Sequence, residues 1–86
     1  MRVANPDDVV VRDLDGEVVL LHLGTGTYFG LDPVGTRIWH LLTEHHSADA
    51  VVPLLLREFD VDEGVLRQDI EALVARLLAK GLLIAA

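Results

Sequence analysis

The dipeptide Asp32-Pro33 divides this chain into two halves that follow different hydrophobic periods. Aspartate is a favoured helix N-cap and proline is favoured at the first helical position, so the pair marks the start of a helix. Upstream, every apolar run is short and ends in a turn signal. Val9-Val10-Val11 opens a β-branched run that closes at Asp15-Gly16, the strongest short hairpin signal. Val18 to Leu23 is a second such run, closed by Gly24-Thr25-Gly26, where two glycines are free to adopt positive φ. Thr27-Tyr28-Phe29-Gly30-Leu31 follows as a short aromatic run. Three runs joined by two tight turns predict an antiparallel meander with strands near 8–14, 17–23 and 27–31.

Downstream, Val34, Ile38, Leu41 and Leu42 recur at helical spacing beside Trp39. Ser47 is placed to cap a second helix, with Asp49 in its first turn and Pro53 inside it, where one backbone bond must be lost or the helix must kink. Asp62 is placed to cap a third and longest helix. Its apolar positions are Leu66, Ile70, Leu73, Val74, Leu77 and Leu78, and Gly81 follows as its terminator. The helices are expected near 33–44, 48–59 and 63–80, with Leu82-Leu83-Ile84 extended on the core. The fold class is therefore α+β: a three-stranded antiparallel sheet followed by three helices, which is also the parts list of a winged helix-turn-helix domain.

With 86 residues, the chain has room for one hydrophobic core, and residues 1–86 read as a single domain. The formal net charge of −7 argues against a nucleic-acid binder, which would carry a basic stripe, and against an anionic membrane surface. The third helix sets Arg67, Arg76 and Lys80 against Glu63, Asp69 and Glu71, so the nucleic-acid-binding alternative that a winged helix raises has the wrong sign. With no cysteine, thiolate metal sites and disulfides are excluded. Met1 to Asp8 lacks the apolar stretch of a signal peptide, and a cytoplasmic location is the default.

No catalytic constellation emerges. His45-His46 are adjacent on a helix end and point apart, which suits solvation better than metal ligation. His22 is assigned to the solvated face of the second strand. Gly24-Thr25-Gly26-Thr27 lacks the lysine and the following helix of a phosphate loop. The lone Ser47 reads as a cap. No cofactor or metal is implied. Phe29, Trp39 and Phe59 are assigned to the core, and Tyr28, on the opposite face from Phe29, is the aromatic placed to meet a ligand.

The ordered string Val19-Leu20-Leu21-His22-Leu23, Gly24-Thr25-Gly26, Tyr28-Phe29-Gly30-Leu31-Asp32, Gly35, Ile38-Trp39-His40-Leu41-Leu42 resembles the PqqD-like family. So do Phe59-Asp60-Val61-Asp62, Asp69-Ile70, Leu73, Leu77 and Gly81-Leu82-Leu83. The resemblance spans residues 9 to 84 and rests on order and spacing, closest to the discrete lasso-type or generic members. It implies a winged-helix-like peptide chaperone without catalysis. Such a chaperone acts in the biosynthesis of ribosomally synthesised and post-translationally modified peptides (RiPPs), binding a precursor's leader peptide for a tailoring enzyme or a leader peptidase of the cysteine-protease type. It also implies that the leader lies between the third strand and the third helix. In this sequence that places Tyr28, Phe29, Gly30 and Leu31 opposite Leu66, Asp69, Leu73 and Arg76. A monomer or weak dimer is expected. The physics agrees with such a partner: the third strand of a meander is an edge, to which a peptide can add as a further strand.

Overall fold

A computed structural model describes residues 2–85; Met1 and Ala86 lie outside the described residues. The meander forms as β2 (Val9–Leu14), β3 (Glu17–His22) and β4 (Tyr28–Gly30), in spatial order β2-β3-β4 and antiparallel throughout. Its first turn has the two positive φ values a tight hairpin needs, 55° at Asp15 and 85° at Gly16. That turn fixes the register from Leu14 opposite Glu17 to Val9 opposite His22. In the second turn only Gly26, at φ 73°, uses the freedom available to both glycines. All three strands are a little shorter than expected.

The helices are α1 (Pro33–His45), α2 (Ala48–Glu58) and α3 (Glu63–Ala79). Each begins at the cap expected for it. The Asp32 carboxylate accepts from the Gly35 N–H at 2.7 Å, the Ser47 hydroxyl from Ala50 at 3.4 Å and the Asp62 carboxylate from Val65 at 3.1 Å. The α1 end differs by one residue because His46 takes the left-handed position, φ 58°, and its N–H donates to the Leu42 carbonyl. Phe59 and Lys80 are caps rather than helical residues. Pro53 lies inside a continuous α2 on its exposed side, where water can replace a lost backbone bond at little cost.

The core lies between one face of the sheet and the helices. Val18, Leu20 and Leu31 meet Trp39, Leu42, Val51, Leu55, Ile70 and Leu77, all buried. Phe59 packs half-buried at its margin. Leu82 and Leu83 close it as expected, but the chain continues into a strand. Here β5 (Ile84–Ala85) pairs antiparallel with β1 (Val3–Ala4), and the Val3 N–H donates to the His46 carbonyl. This small second sheet had no sequence signal: two residues a side are too few for any period to show.

Two placements correct the sequence reading. Val34 is 44% exposed, although it shares the helical spacing of the buried Ile38, Leu41 and Leu42. His22 is tucked in rather than solvated, its side chain 14% exposed. Its Nδ1 accepts from the N–H groups of Gly24 and Thr25, its Nε2 lies 3.5 Å from the Asp8 carboxylate, and its ring lies beside Gly81 at the end of α3. A turn whose amides need an acceptor explains why an imidazole turns inward here.

The candidate peptide-binding groove

The hydrogen bonds of β4 decide which of its backbone groups are free. The Leu31 N–H donates to the Val18 carbonyl and the His22 N–H donates to the Thr27 carbonyl, each at 2.8 Å. Bonded pairs alternate in an antiparallel ladder, so with Leu20 opposite Phe29 the next bonded pair is Leu20 with Phe29. Phe29 therefore turns its backbone groups inward to β3. Tyr28 and Gly30 point both N–H and C=O outward from an edge that no other strand covers among the described residues. Nothing lies within 4 Å of the position a Gly30 Cβ would take, so the face of the sheet that carries Tyr28 is open at this position.

Beside the edge lies a groove of about 430 Å³ bounded by β4, the first turns of α1, and α3. Leu31 and Ile38, both buried, form its floor, and the half-buried Phe29 and Leu73 line it from β4 and α3. Gly35 packs closely there: a Cβ would lie 3.1 Å from the Asp32 carboxylate that caps α1, which would have to shift by a few tenths of an ångström, and in ordinary contact at 3.5 Å with the Leu31 side chain. Asp69, Ala72 and Arg76 form the exposed wall on α3. The Arg76 guanidinium lies 4.8 Å, and the Lys80 ammonium 5.8 Å, from the centre of the Phe29 ring.

A hydroxyl sets the end of the edge strand. The Val18 N–H would pair with the Leu31 carbonyl in a regular ladder, but it donates at 2.9 Å to the buried Thr36 hydroxyl. That hydroxyl donates in turn to the Leu31 carbonyl at 3.5 Å. The relay ties the sheet to α1 and leads the chain out of β4 into the groove floor.

Of the residues singled out from sequence, Phe29, Gly30, Leu31, Asp69, Leu73 and Arg76 converge on this groove. Two do not line it. Tyr28 is 70% exposed on the opposite face of the sheet and contributes its outward backbone, while Leu66 is buried in the core. The α1 side of the groove, Asp32, Val34, Gly35 and Ile38, was not anticipated. An apolar residue directly after the Asp-Pro cap was the available signal. Among the described residues, no cluster of His, Asp and Glu could hold a metal, and no helix is long and apolar enough to cross a membrane.

A three-stranded antiparallel sheet whose free edge faces a helix across an open groove, with three helices in winged-helix order, is the architecture of the PqqD-like RiPP recognition elements. The chain belongs to the PqqD family: the family model for coenzyme PQQ synthesis protein D matches residues 17–83. Two solved structures share the whole fold. One is TbiB1 in complex with the TbiA(beta) leader peptide, 43% identical, with a TM-score of 0.89 over 96% of each chain. The other is lasso peptide synthetase B1 complexed with the leader peptide, 27% identical, with a TM-score of 0.88 over 98% of this chain and 99% of that one. No curated protein matches the chain.

Proposed function

We propose that this chain binds the leader segment of a RiPP precursor by strand addition to β4, with side chains of the leader seated in the groove against α3. It then presents the precursor to a tailoring enzyme, or to a leader peptidase of the cysteine-protease type, in the same pathway. The observation that carries the reading is the pair of outward-facing residues, Tyr28 and Gly30, alongside a groove with an apolar floor and a charged wall. Main-chain bonds supply affinity in this mode and the pocket supplies selectivity. Support comes from two relatives that were solved holding leader peptides, one of them a lasso peptide synthetase component. The 86-residue chain acts as a single binding domain, a monomer or weak dimer, in the cytoplasm, on a precursor of the lasso or a related class.

Calorimetric titration tests this with a precursor encoded beside the gene, cut into its leader and core halves. The leader half binds and the core half does not. Binding of neither half, or of both equally, overturns the proposal.

A further inference from the structure

The apolar floor of the groove is flanked by charges of opposite sign. At one end Arg76 and Lys80 converge on a single Phe29 ring. In a chain of net charge −7, two cations meet here, and neither has a carboxylate within ion-pair distance among the described residues. Asp69 stands on the same wall, also without an ion-pair partner among the described residues.

The direction of β4 relative to this charge pair follows from two contacts. Gly81 at the end of α3 lies beside His22, which bonds to Thr27 where β4 begins, and Arg76 and Lys80 lie over Phe29. So β4 runs from the C-terminal end of α3 toward its N-terminal end, from the cations toward Asp69. Asp69 and Arg76 are two helical turns apart, about 10 Å. An extended peptide covers that span in roughly three residues.

Resting on the strand-addition reading, we propose that Asp69 and the Arg76–Lys80 pair form a charge-order filter. The groove selects a leader segment with a basic side chain opposite Asp69 and an acidic one over Phe29, about two or four residues further toward the peptide's C-terminus, the even spacing that keeps both side chains on the groove face. That order suits a strand added antiparallel to β4, the more stable pairing and the one the rest of the sheet uses. A peptide of reversed order has its charges repelled in this orientation, or must add parallel. Each exposed ion pair contributes little, but exchanging two attractions for two repulsions discriminates by about tenfold.

The probe is a random dodecapeptide library displayed on phage. It is selected on the wild-type chain and on the variant carrying Asp69→Lys, Arg76→Glu and Lys80→Glu, with circular dichroism to establish that the variant folds. Enriched sequences are remade as synthetic peptides and titrated by fluorescence anisotropy. The wild type enriches basic-before-acidic peptides, the variant enriches the reverse order, and each prefers its own set by about tenfold, less at high salt. If the variant does not fold, Arg76→Gln with Lys80→Gln replaces it and must bring the preference close to one. If both proteins enrich the same sequences, or the enriched set has no charge order, and Gly30→Pro still weakens binding, the filter is wrong and the groove stands. If Gly30→Pro weakens none of the enriched peptides, strand addition itself is wrong and the filter falls with it.

Discussion

Arg76 holds its guanidinium 4.8 Å from the centre of the Phe29 ring, bridging the edge strand and the helix that faces it. The contact crosses the groove wall, so it couples β4 to α3 at the place where a peptide would enter. Phe29→Leu, which keeps apolar bulk and loses the π face, should show a coupling with Arg76→Gln of about 0.5–1 kcal/mol in a double-mutant cycle. Thermal unfolding of the four proteins measures it. Additive effects would mean that the two groups are neighbours without interaction.

Proline substitutions along β4 should give alternating outcomes. Tyr28→Pro and Gly30→Pro remove N–H groups that face outward, so the domain stays folded and leader affinity falls by roughly 1–3 kcal/mol for each lost bond and its clash. Phe29→Pro removes the N–H directed to Leu20 and destabilises the domain itself. Tyr28→Ala and Phe29→Ala, which keep the donor, are the controls. Calorimetry with a leader peptide beside thermal melts separates the classes, and undiminished affinity in folded variants at Tyr28 and Gly30 would place the binding mode elsewhere.

Leu66 and Leu73 lie on the same stripe of α3, but one is buried in the core and the other lines the groove. Leu66→Asp should cost several kcal/mol and unfold the domain. Leu73→Asp should leave it folded, at a cost of about 1–2 kcal/mol, and abolish peptide binding. Circular dichroism paired with titration distinguishes the two. A Leu73→Asp protein that is unfolded would return this residue to the core.

Thr36→Val should cost about 1–3 kcal/mol, because the buried Val18 N–H loses its acceptor at nearly constant side-chain volume. Thr36→Ser should recover most of the loss. Chemical denaturation of both variants tests the relay, and a neutral Thr36→Val would show that the amide finds another acceptor.

Duplex DNA should not be retained in filter binding even at low salt. The third helix, which would enter a groove in a winged helix, has Glu63, Asp69 and Glu71 among its cations, and Arg67 is engaged by Glu63 at 3.1 Å. Retention that weakens steeply with salt would reverse this expectation.

What the sequence made legible was local. Asp15-Gly16 specifies a hairpin through its own φ preferences, and Asp32, Ser47 and Asp62 cap helices through bonds to residues three positions away. The candidate site was not legible in that way. The resemblance to the PqqD-like family pointed to the segment Tyr28 to Leu31 and to Leu66, Asp69, Leu73 and Arg76, and periodicity cannot say which of Leu66 and Leu73 meets the core, since both lie at equivalent angles. That difference is decided by what packs against each. Thr36 shows the same limit from the other side. Nothing in the local sequence tells a buried threonine that completes a ladder eighteen residues away from one facing water. The parity of β4 needed the bonds of Leu31 and His22 to distant partners, and the β1–β5 pair joins segments at opposite ends of the chain.

The two borders of the three-stranded sheet are defended unequally. The rim along β2 carries Arg12 and Asp13, with Asp8 and Asp15 just beyond its ends, and charges on an edge strand oppose pairing with another chain because pairing would strip them of water. The β4 rim is Tyr28-Phe29-Gly30, without a formal charge and only three residues long. Its brevity is the main brake on adventitious zippering. Under the proposed binding mode the uncharged margin is the one a visiting chain would line, and such an occupant would also sheathe it.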